Sequence, residues 1–123
     1  MSKRILVIED QADNRRILRD LLGSHGFEVL EAENGALGVD RAIAEKPDLI
    51  LMDIQMPELD GYDATRQIKQ HPKGANIPII AVTSFALSGD ETKAREAGCD
   101  DYVTKPYSPR ALLAKVITFV GQV

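Results

Sequence analysis

The chain has a single cysteine and two histidines among 123 residues. Cys99 has no second thiol to pair with, so the fold must do without an internal disulfide, which suits a reducing compartment. His25 and His71 stand near predicted helix ends, away from the acidic positions described below, and neither reads as a metal ligand or a phosphorelay histidine. Long hydrophobic runs are also missing. Residues 49–52 and 79–82 are brief, far from the roughly 20 residues a membrane helix needs, so no membrane span is expected. The N-terminal Met-Ser-Lys-Arg leads straight into a strand-like run without the hydrophobic core of a signal peptide, and a cytoplasmic protein is expected. Basic excess is absent too. A formal charge of -4 and a pI near 5.1 argue against direct binding to nucleic acid or anionic lipid. There are no repeats, linkers or low-complexity tracts, and no GxGxxG or Walker A stretch.

What is present fits one domain over residues 1–123, with 44% hydrophobic side chains. Such a chain buries about two thirds of its unfolded surface, enough for a core without a staple. Short apolar runs alternate with helix-period segments in five βα units, which predicts an α/β fold with a parallel sheet and helices on both faces. The strands are expected at residues 4–8, 29–30, 49–52, 79–82 and around Tyr102 and Val103, the third being apolar throughout and therefore central. The first helix runs from about Asn14 to near Gly26 with an apolar stripe of Ile17, Leu18, Leu21 and Leu22. The second follows Asn34-Gly35, carries Leu37, Val39, Ala42 and Ile43, and is stopped by Pro47. The third spans residues 62–70, with Asp60 in the turn before it. The fourth opens on a capping box of Ser88 and Glu91 and closes at Gly98, and the fifth has Ser108 as N-cap and Pro109 as first residue.

The polar residues that interrupt this pattern fall at the carboxyl ends of strands: Glu9 and Asp10, Asp53, Thr83 with Ser84, and Lys105. In an open α/β sheet those ends line the ligand crevice. Two like charges about 4 Å apart repel by on the order of 4 kcal/mol at an effective dielectric of about 20, so three carboxylates gathered there call for a cation. Oxygen ligands without thiols or imidazoles favour Mg²⁺, or Mn²⁺ in its place, with Glu9, Asp10 and Asp53 as candidate ligands. Asp53 is then placed to attack phosphorus and form an acyl phosphate, with Lys105 pairing with the added charge and Thr83 donating to a phosphoryl oxygen.

These stretches, ILVIED at residues 5–10, PDLILMDIQMPELDG at 47–61, IPIIAVT at 77–83 and GCDDYVTKP at 98–106, resemble the response regulator receiver domain over essentially the whole chain. The resemblance implies a flavodoxin-like fold with strand order 2-1-3-4-5. It implies a role in two-component signalling, with a sensor histidine kinase or histidine phosphotransferase as phosphoryl donor and a protein target downstream. It makes Asp53 the phosphoacceptor, Glu9 and Asp10 the acidic pair for Mg²⁺, and the Gln55 carbonyl a further metal ligand. Thr83 becomes the switch hydroxyl and Lys105 the phosphate-pairing lysine, with a cis bond expected before Pro106. Tyr102 matches the switch aromatic, although a half-buried packing role is its alternative. The surface of the fourth helix, fifth strand and fifth helix would report the state. Whether it also forms a phosphorylation-dependent homodimer stays open. Exposed arginines of the first helix, Arg15, Arg16 and Arg19, are expected to choose the kinase.

Other functions fit less well. A haloacid dehalogenase-type phosphatase would need a second Asp two residues after its nucleophile, where this chain has Gln55, so no turnover enzyme is expected and self-hydrolysis should be slow, with Phe85 as a shield. A flavin module would need phosphate donors in residues 10–14, which are acidic. A phosphorylation-independent binding module would not need all five site residues. The segments resemble both single-domain cell-cycle regulators and the receiver ends of hybrid kinases; the start favours the former, with no output domain.

Overall fold

The computed structural model describes residues 3–54, 56, 59–83, 90–105 and 107–121, leaving out the side chains of Asp90 and Glu91. Its five strands are β1 (Arg4–Ile8), β2 (Glu28–Ala32), β3 (Leu49–Asp53), β4 (Ile79–Thr83) and β5 (Asp101–Thr104). Its helices are α1 (Ala12–Gly23), α2 (Gly35–Glu45), α3 (Gly61–Gln70), α4 (Asp90–Ala97) and α5 (Pro109–Val120). All pairings are parallel, in the order β2-β1-β3-β4-β5, as expected.

Side-chain alternation along the strands splits the core into two. Leu6, Ile8, Ile50, Met52, Ile79 and Ala81 face α2, α3 and α4, meeting Ala42, Ala64, Ile68 and Ala94. Ile5, Val7, Leu49, Leu51, Ile80 and Val103 face α1 and α5, meeting Leu18, Leu22, Leu112 and Val116. Right-handed crossovers dictate this arrangement: the chain moves outward from β1 to β2, then back across the sheet, and the reversal changes the face its helices cover. β3 and β4 are buried at every residue because both have neighbours on each side and helices above and below.

Several helix boundaries follow local chemistry. Asn34, Asp60 and Ser108 each cap the third following residue, accepting from Leu37 N at 2.8 Å, Asp63 N at 2.9 Å and Ala111 N at 3.3 Å. Gly98 ends α4 at φ 111, with Cys99 N donating to Ala94 O at 2.9 Å. Ser88 of the expected capping box lies outside the described residues.

Two expectations change. α1 starts at Ala12 and ends at Gly23, earlier at both ends, and Ile17 of its apolar stripe is 53% exposed. On α2, Leu37 is also exposed, because the helix packs inward through Gly38 against Ile8 of β1, through Ala42, and through Gly35 against Leu59. A Cβ on Gly38 would lie 2.5 Å from the Ile8 side chain, so the small residues, not the large ones, set the inward face. α4 is anchored by small groups as well: Ala94 and Ala97 are its buried side chains among those described.

Gly61 carries a similar constraint closer to Asp53. A Cβ there would strike the Asp53 carbonyl oxygen and come within 2.6 Å of Ile54 Cα, both backbone atoms that cannot step aside. Gly61→Ala is therefore expected to cost about 1–3 kcal/mol in urea unfolding through overpacking. Gly23→Ala, whose added methyl meets nothing within 4 Å, is expected to be neutral or to stabilise by about 0.4–1 kcal/mol.

Candidate functional site

The end of each central strand delivers one part of the site. Glu9 follows β1 and stays in register because its N–H donates to Ala32 O of β2 at 3.1 Å. Asp53 is the last residue of β3 and Thr83 the last of β4. Lys105 follows β5, its N–H reaching Thr83 O at 2.6 Å, which extends the β4–β5 ladder by one step and turns the lysine over the acids. Glu9, Asp53 and Thr83 are buried, at 3%, 4% and 2% exposure, and Asp10 is the open member of the group.

One carboxylate oxygen from each of Glu9, Asp10 and Asp53 lies within 4.8 Å of the others. The lysine ammonium sits against them, with Nζ 3.3 Å from Glu9 Oε1 and 3.6 Å from Asp53 Oδ1. Glu9 is fixed from further directions. Its Oε2 accepts from Gln11 N at 3.0 Å and its Oε1 from Asn14 Nδ2 at 3.3 Å. Burial alone would raise the Glu9 carboxyl. The Gln11 amide, hydrogen bonding shared with Asp53 and Asp10, and the Lys105 charge outweigh it and hold Glu9 below the usual value. Asp10 is pushed the other way, by desolvation and then by the hydrogen bond and charge of Glu9. One ammonium against three carboxylates leaves the group short of positive charge.

The donor set fits a hard divalent cation: all oxygen, no thiol or imidazole, and a spread close to the ~4.2 Å that separates opposite ligands around Mg²⁺. His25 and His71 follow α1 and α3, at the opposite end of the sheet, as expected. Gln55, Ser84, Phe85 and Pro106, and so the expected carbonyl ligand, shield and cis bond, lie outside the described residues. Tyr102 is half-buried and packs against the α2/α3/α4 core.

Beside the acids opens a cavity of about 280 Å³, with Val7, Ile17, Leu18 and Leu51 as apolar wall and Glu9, Asp53 and Lys105 at its polar end. Tyr107 and Asn14 also line it, and neither was singled out from the sequence. Burial and the facing Glu9 charge raise the Tyr107 phenol. Asn14 had a sequence signal, one helical turn after the acidic pair, but its partner is visible only in space.

The first-helix arginines are not alike. Arg16 is exposed, with its side chain 62% accessible, and Arg19 is half-exposed, whereas Arg15 is 17% accessible and faces inward. The expectation that all three are free to meet a kinase is corrected for Arg15, whose guanidinium is occupied by Glu9 O and Glu31.

Comparison with known proteins agrees with this geometry. Residues 5–117 match the family described as "Response regulator receiver domain". The polar-differentiation response regulator DivK of Brucella anthropi is 39% identical over 121 residues, covering 98% of both chains. The receiver domain of sensor histidine kinase PA1611 from Pseudomonas aeruginosa, solved with magnesium in its active-site cleft, is 36% identical. It superposes with a TM-score of 0.91 over 99% of this chain and 100% of its own. The chemotaxis protein CheY4 of Vibrio cholerae, 21% identical and with a TM-score of 0.91 over 97% and 99% of the two chains, shares the fold.

The charge imbalance gives a sign to test. An acid whose folded pKa is raised keeps its proton longer in the native state, so metal-free stability falls as pH climbs from the ordinary carboxylate range upward. At neutral pH in EDTA, Asp10→Asn is expected to stabilise the fold by on the order of 0.5 kcal/mol for so open a group, seen as a raised thermal midpoint. With Mg²⁺ the order should reverse, the native chain gaining stability that the variant does not, as followed by circular dichroism.

Proposed function

The chain belongs to the response regulator receiver domain family, and from that membership we propose that it takes a phosphoryl group from a histidine kinase or phosphotransferase onto Asp53 and signals to a protein target. The observation that carries this reading is the Lys105 ammonium lying between buried Glu9 and Asp53, 3.3 and 3.6 Å from their oxygens, with Asp10 completing an all-oxygen cluster. Receiver domains bind Mg²⁺ at such an acidic pocket, and Glu9, Asp10, Asp53 and the Gln55 carbonyl are the ligands we assign here. When bound, Mg²⁺ supplies the positive charge that screens the incoming phosphoryl oxygens from the acids, and Mn²⁺ serves in its place.

The chain's own groups account for the rest. An Asp53 oxygen attacks phosphorus as the P–N bond to the donor imidazole breaks. A P–O bond forms, and the imidazole nitrogen takes up a proton from solvent. Lys105 exchanges its hold on the bare carboxylate for one on the phosphoryl group. Thr83, buried at the end of β4 and joined to Lys105 through the 2.6 Å main-chain bond, donates its hydroxyl to a phosphoryl oxygen. Drawing Thr83 toward the site opens space for half-buried Tyr102, and the edge formed by α4, β5 and α5 changes shape for a partner or a second copy.

The phosphoryl group is expected to persist. Hydrolysis needs a base to activate water, and both histidines follow helices at the far end of the sheet, while Gln55 stands where a phosphatase would carry an acid. The protein is therefore a stoichiometric acceptor with slow self-hydrolysis, not a turnover enzyme. No helix among the described residues is long and apolar enough to cross a membrane. Buried Cys99, its thiol pushed up by burial, suits the reducing cytoplasm where we place the protein.

Incubation with a small-molecule phosphodonor is expected to add one phosphoryl group by intact mass. The gain should require Mg²⁺, vanish in Asp53→Ala and outlast rapid desalting. No gain in the native chain would overturn the acceptor role, and loss during desalting would overturn its persistence.

A further inference from the structure

Arg15 lies in the first turns of α1 but its charge points back at the strand ends. Its Nη1 donates to the Glu9 main-chain oxygen at 2.8 Å, and its Nε is 3.6 Å from Glu31 Oε1 of β2. Glu31 is itself held: Oε2 accepts from Arg19 Nη1 at 3.2 Å and its carbonyl from Arg41 Nη1 at 2.7 Å. The strand-end residue Glu9 is thus gripped by both its main-chain polar groups, the N–H by Ala32 O at 3.1 Å and the C=O by Arg15.

The second grip matters because of what shares that peptide. The Glu9 carbonyl and the Asp10 nitrogen belong to one planar unit, so fixing the oxygen fixes the direction in which Asp10 leaves the strand. Asp10 is the least buried of the three acids. We infer that Arg15, braced by Glu31, is a positioning residue that sets the Glu9–Asp10 peptide so that both carboxylates converge on one cation. This rests on the metal-site reading above.

Charge and positioning predict opposite signs, which makes the inference decidable. A guanidinium near a cation site repels the cation, so by charge alone its removal tightens Mg²⁺ binding. By positioning, its removal weakens binding, and the Glu31 partner already cancels much of the repulsion. Lysine keeps the charge but lacks the planar fork that reaches Glu9 O and Glu31 together.

The test is Mg²⁺ titration of the full chain by calorimetry, with thermal unfolding in EDTA to confirm that each variant is folded. Arg15→Lys and Arg15→Met are both expected to raise the Mg²⁺ Kd by about 10-fold, the scale on which groups behind a metal ligand act. Native affinity in Arg15→Lys, or tighter binding in Arg15→Met, overturns the inference while leaving the metal site intact. If either variant fails to fold, Glu31→Gln answers in its place: a weaker affinity supports the role and native affinity overturns it. Absence of Mg²⁺ binding by the native chain overturns the metal-site reading and this inference with it.

Discussion

Three carboxylates crowded at the ends of β1 and β3 are the constraint on which the site depends. A fold gathers like charges only if the surrounding contacts are strong enough to hold them, and here they are. Glu9 follows β1 and Asp53 ends β3, strands buried apart from Arg4 and hydrogen-bonded to neighbours on both sides, so neither can retreat into solvent without unpairing the sheet. Lys105 relieves part of the repulsion from the far side of the crevice. The remainder is a deficit of positive charge, which a divalent cation fits.

Helix placement serves the same end. α3 begins almost in contact with the Asp53 main chain, a closeness that glycine at position 61 permits. On the other side of the sheet, α1 starts just after the acidic pair and supplies Asn14 to the Glu9 carboxylate and Arg15 to its carbonyl. The acids are therefore set in a rigid frame, whereas Thr83 and Lys105 are tied to each other through the β4–β5 edge.

Much of this was legible in the sequence because strands with sharp apolar limits leave their polar successors at one end of the sheet. Glu9, Asp10, Asp53, Thr83 and Lys105 were found that way, and the structure brings the three acids and the lysine together. Ile17 and Leu37 show where periodicity stops informing. Each fits an apolar stripe, yet the inward faces are taken by Leu18 and Leu22 on α1 and by Gly35, Gly38 and Ala42 on α2. Arg15 and Tyr107 were misjudged or missed for a related reason: their roles depend on groups that folding brings from another strand or loop, which local pattern does not encode.

The two-sided core has a mechanical consequence at the β5 edge. α4 and α5 flank the same four-residue strand but are rooted in separate halves of the interior. α5 is rooted by Leu112 and Val116, α4 by the methyl groups of Ala94 and Ala97. Among the described side chains α4 thus buries less apolar area against the sheet than α5 does. Of the two helices beside β5, α5 is therefore the one held more firmly to the sheet by apolar burial among the described residues.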